Sequence, residues 1–96
     1  MPPIPSIQLT VNFIKDRKQV IAYAPALDIS TVGKTEKQAR QRFDELVRIF
    51  LKDITDRNVI DEVLTELGWK KMKVQNQSQW VPPKVTSMDL QVPIAA

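Results

Sequence analysis

Neither cysteine nor histidine occurs in the chain, and glycine occurs only twice. The missing cysteine rules out disulfides and thiolate nucleophiles, and the missing histidine rules out imidazole bases. Together they exclude almost every protein zinc site. Chemistry is left to carboxylates, lysines, hydroxyls and a single tyrosine. No stretch approaches the ~18 consecutive apolar residues of a membrane helix. Met1-Pro2-Pro3-Ile4-Pro5 has neither the basic start nor the apolar run of a signal peptide. A cytoplasmic location without membrane contact is expected, and the absence of cysteine fits a reducing compartment.

What is present suits one small soluble domain of 96 residues. At this size the core is modest, so a homo-oligomer is expected to add stability. The formal charge is +3, but bases and acids are interleaved, as in Lys15-Asp16-Arg17-Lys18. Such mixing marks a solvated face more often than a nucleic-acid stripe. Lys70, Lys71 and Lys73 form a weak basic cluster.

Pro2, Pro3 and Pro5 predict an extended lead-in. From Ser6 to Lys15, Ile7, Leu9, Val11 and Phe13 alternate with polar residues, which predicts a half-buried strand. A polar turn leads to a second strand, Gln19 to Tyr23, and Pro25 interrupts that ladder. Leu27 to Val32 reads as a third strand, completing an antiparallel meander. Gly33 ends the sheet, Thr35 is placed to cap a helix, and Gln38 stands where a capping box needs it. Ala39, Phe43, Leu46, Val47, Phe50, Leu51 and Ile54 then form one apolar helical stripe. A second helix is predicted from Asn58, as its cap, to Leu67, closed by Gly68. Trp69 to Val74 reads as a returning strand. The prediction is an α+β domain of order β-β-β-α-α-β over residues 1–74, with an extended tail over 75–96.

No reactive constellation emerges. Asp16, Asp28, Asp44 and Glu45 are the candidate carboxylates, yet nothing in their spacing brings them together. Gly33-Lys34-Thr35 lacks the first glycine of a phosphate loop, because Asp28 stands there. No catalytic, metal or cofactor site is therefore expected. Trp69 follows a helix end and is expected in the core. Trp80, in the polar segment before Pro82-Pro83, is equally suited to a partner's pocket or to folding back on its own sheet. Met88 to Ile94 alternates like a strand, able to complete its own sheet or to add to another chain.

The run Ala22-Tyr23-Ala24-Pro25-Ala26-Leu27-Asp28-Ile29-Ser30-Thr31-Val32-Gly33-Lys34-Thr35 resembles the HicB-like antitoxin pattern. There an alanine-bearing strand leads to Pro-x-Leu, a short strand, Gly-x-Thr and a helix. Ala39 matches the small residue of that helix, and Val63-Leu64-Thr65-Glu66-Leu67-Gly68-Trp69 resembles the end of many short members. The resemblance spans Ile7 to Trp69. It implies a degenerate, partial RNase H-like fold without nuclease activity, which masks a small, basic, RNA-cleaving HicA-type toxin. Three departures stand out. No helix follows the Met88–Ile94 stretch, Lys37-Gln38 replaces an acidic pair, and the net charge is positive. The expected partner-binding residues are Asp61, Glu62, Glu66, Trp80, Val81, Leu90 and Val92. The alternative is an orphan relative that binds RNA or DNA through a basic surface.

Overall fold

The computed structural model describes residues 6–95 of the chain, so the proline lead-in at 2–5 lies outside the described residues. The order is β1 (Asn12–Lys15), β2 (Val20–Ala24), β3 (Ile29–Gly33), α1 (Glu36–Asp56), α2 (Ile60–Glu66), β4 (Lys70–Val74) and β5 (Gln77–Val81). This is the expected α+β arrangement, with one further strand, β5, inside the stretch expected as tail.

β1, β2 and β3 form an antiparallel sheet in that order, while β4 and β5 form a separate two-stranded sheet. The meander register runs from Asn12↔Tyr23 to Lys15↔Val20 on one side of β2, and from Val20↔Gly33 to Ala24↔Ile29 on the other. β2 ends at Ala24 because the Pro25 turn follows, closed by Leu27 N–H to Ala24 O (3.3 Å) and Asp28 N–H to Pro25 O (3.3 Å). Two boundaries move as a result. β3 starts at Ile29, and residues 6–11 have no ladder partner, with 6–10 lying past the end of β2.

α1 forms as its stripe predicts. The Thr35 hydroxyl accepts from Gln38 N–H (3.1 Å), and the Gln38 side-chain oxygen accepts from Lys34 N–H (2.7 Å). Ala39, Phe43 and Ile54 are buried. The helix packs mainly on β3 and β2, which leaves β1 at the open edge. Close approach is possible because Ala22, Ala24 and Ala39 are small and fully buried. Gly33 is needed there as well: a Cβ on it would lie 2.4 Å from Ala39 N.

Asn58 does not cap α2. It takes a left-handed conformation, φ 59, and ends α1 instead. Its N–H bonds Thr55 O (3.0 Å) and Val59 N–H bonds Ile54 O (2.9 Å), the paired bonds of a Schellman closure. α2 begins without a side-chain cap, after Val59. Its end matches the prediction: Gly68, φ 93, donates to Thr65 O (3.1 Å) and Trp69 N–H donates to Leu64 O (2.9 Å).

Two apolar clusters result. Val20, Ala22, Ala24, Ala39 and Phe43 form the first, between sheet and helix. Ala26, Leu27, Leu64 and Trp69 form the second, and Leu9, Ile29 and Val47 pack against both. Trp69 is in the core, as expected, with its indole N–H donating to Ala26 O (2.7 Å).

Candidate functional site

The candidate carboxylates stay apart. Asp16 accepts from Arg17 N–H in the first turn (2.6 Å), Asp28 accepts from the Tyr23 hydroxyl (3.2 Å), and Asp44 pairs with Arg48 (2.8 Å). Among the described residues no three acidic side chains are grouped so as to hold a metal ion.

A different surface assembles at α2 and the second hairpin. The two strands join through Gln75 and Asn76, with φ 51 and 64, the pair of left-handed residues a tight hairpin turn demands. This turn sets Lys71 opposite Trp80 and Lys70 opposite Val81. Lys71 Nζ lies 5.7 Å from the centre of the Trp80 ring and 3.4 Å from the Asp61 carboxylate. One lysine therefore ties the first acidic residue of α2 to the tryptophan of β5. Both partners of the ion pair are well exposed, at 46% and 64%, so the contact orders the surface more than it stabilises the fold. Glu62 and Glu66 are also exposed, one helical turn apart.

The Trp80 ring is half-buried against the second apolar cluster, on a strand of the two-stranded hairpin. Val81, next along that strand, is 39% exposed. Of the seven expected partner-binding residues, Asp61 and Trp80 are joined through Lys71, Val81 follows Trp80 on β5, and Glu62 and Glu66 lie exposed on the same short helix as Asp61. Leu90 and Val92 lie on the extended segment after Val81, at 69% and 66% exposure. Lys71, read from sequence only as part of a weak basic cluster, takes its linking role from the hairpin pairing; the asparagine at Asn76 is the sequence signal for that turn.

Two concave features lie elsewhere. A cleft of about 330 Å³ on the outer side of the sheet is lined by Thr10, Asn12, Pro25, Pro83, Val85 and Ser87 among others. A groove of about 360 Å³ lies where β1 borders α1, lined by Ile7, Leu9, Val11, Phe13, Phe43 and Val47, with Arg40 and Asp44 at its rim. Arg40 sits over the Phe13 ring at 5.8 Å.

No helix among the described residues is long and apolar enough to cross a membrane. No family model matches the chain, and neither the curated proteins nor the solved structures include a match.

Proposed function

We propose that this chain is a non-catalytic, cytoplasmic antitoxin-like protein that binds and masks a small basic toxin of the RNA-cleaving HicA type. The observation that carries the reading is the surface at α2 and β5. Asp61, on a helix that also carries exposed Glu62 and Glu66, is linked through Lys71 to the aromatic strand Trp80-Val81. A basic RNA-binding face is attracted to such acids, and fixed charges of opposite sign steer association and set register. The strand edge adds main-chain hydrogen bonding and an aromatic anchor. Inhibition is steric, by covering the surface on which RNA would lie. The resemblance of the Ala22–Thr35 run to HicB-like antitoxins points to the same class.

A pull-down from the native host at moderate salt, with nuclease treatment in parallel, tests the reading. The expected result is one small basic protein that survives nuclease and is lost when Glu62→Lys and Glu66→Lys are combined. A second reading, binding of RNA or DNA, is favoured by the exposed Lys70 and Lys73. Recovery of nucleic acid alone, with affinity falling steeply as salt rises, would establish it and retire the antitoxin reading.

A further inference from the structure

Among the described residues, two strand-like segments lack a strand partner. Residues 6–11 continue β1 without a ladder, with Ile7, Leu9 and Val11 half-buried and Gln8 and Thr10 exposed. Residues 88–94 alternate in the same way. Met88, Leu90, Val92 and Ile94 are 77%, 69%, 66% and 96% exposed, with Asp89, Gln91 and Pro93 between them. A row of large apolar side chains standing in water marks a contact surface.

The β1 edge has what such a strand needs. Asp16 N–H bonds Gln19 O across the first turn, so even-numbered residues of β1 direct their amides toward β2. Odd-numbered residues direct theirs to the free edge. Continued back along the strand, Leu9, Val11 and Phe13 face that edge with their amides and line the β1–α1 groove with their side chains.

In an antiparallel addition, residues whose amides face one another also share a face of the sheet. Leu90 and Val92 then bond to the edge and point into the groove. Asp89, Gln91 and Pro93 turn their backbone outward, where the missing N–H of Pro93 costs nothing. A parallel addition moves the ladder bonds to the intervening residues and leaves one unmade at Pro93. The pairing is therefore antiparallel.

The chain's own tail is on the wrong side to fill its own groove. Val85 and Ser87 share the outer cleft with Thr10 and Asn12. Those two residues alternate with the groove-lining ones and so occupy the opposite face of the sheet. Beyond this point residues 88–94 form no ladder.

We propose that residues 88–94 of each of two chains add, antiparallel, to the β1 edge of the other, giving a closed two-fold dimer. Reciprocal exchange closes two grooves at once and brings the buried surface to the order of the ~1,600 Å² of a stable complex. Pro93 and Asp89 on the new outer edges block a further strand, so the assembly stops at two. The dimer uses neither α2 nor β5, so it stands or falls independently of toxin binding.

Sedimentation of the full chain from low to high micromolar concentration tests this. The full chain sediments as a dimer. Leu90→Asp combined with Val92→Asp weakens self-association by about 100-fold or more with an unchanged circular dichroism spectrum, because both side chains are exposed in the single chain. Since the chain has no cysteine of its own, a Thr10→Cys chain mixed with a Gln91→Cys chain and oxidised gives a mixed disulfide dimer in preference to either homodimer. A monomer at every concentration, a dimer that survives both aspartates, or cross-linking between tails alone would overturn the proposal.

Discussion

Asp28 holds a left-handed backbone conformation, φ 54, in the turn between β2 and β3, and there its carboxylate accepts the Tyr23 hydroxyl at 3.2 Å. Asp is one of the few residues that tolerates this conformation. The hydrogen bond, then desolvation, then the negative charge of Asp28 hold the Tyr23 hydroxyl above its ordinary value of 10.0. The folded state thus binds this proton more tightly than the unfolded chain does. Its contribution to stability is complete below pH 10 and is lost as pH rises through the native value. Absorbance at 295 nm, where the only tyrosine ionises, is expected to titrate above the ordinary midpoint. Asp28→Gly, which suits the same φ, lowers the midpoint toward the ordinary value. An identical titration in that variant would show the hydrogen bond to be absent in solution.

At the scale of elements, the paired helix ends are the clearest case of local chemistry deciding structure. Asn58 and Gly68 occupy equivalent left-handed positions after α1 and α2. Glycine pays no steric penalty there, whereas asparagine pays part of one. Asn58→Gly is expected to raise unfolding stability by about 0.5–1 kcal/mol and Asn58→Ala to lower it by about 1 kcal/mol. Urea denaturation reads both. Were Asn58 instead the cap of α2, its replacement by either residue would destabilise.

The ambiguity at Asn58 shows what the sequence makes legible. α1 is legible because Thr35, Gln38 and a stripe from Ala39 to Ile54 all agree. The meander is legible because Val20 to Tyr23 carries a strand pattern; the alternation from Ile7 to Phe13 signals β1 but starts it too early, since only Asn12–Lys15 pairs with β2. β5 is not, because Gln77-Ser78-Gln79 belongs to a two-stranded sheet with little apolar burial. The residues proposed to bind a partner on α2 and β5 are visible singly from their chemistry. Their grouping through Lys71 depends on hairpin register, which neither residue type nor spacing along the chain discloses.

The whole molecule is elongated. The radius of gyration is 16.6 Å and the longest dimension 58 Å, against about 13 Å expected for a compact chain of 100 residues. The segment after Val81 has no regular structure and stands with its large apolar side chains outward. The same tail bears on how the sequence divides. The hairpin runs through the boundary expected at residue 74, and the part without regular structure begins at Pro82.

The two apolar clusters also imply an order in time. Every residue of the first lies between Val20 and Phe43, with satellites from Leu9 to Val47. The second requires Trp69 to reach Ala26, 43 positions away. A chain emerging from its amino end can thus close its sheet on α1 before the second tryptophan-bearing hairpin exists. The same asymmetry persists in the finished protein: the later-made half can open while the earlier half stays shut. Amide exchange is expected to be slowest in β2 and markedly faster in β4 and β5. Uniform protection across both would mean that the domain opens only as one piece.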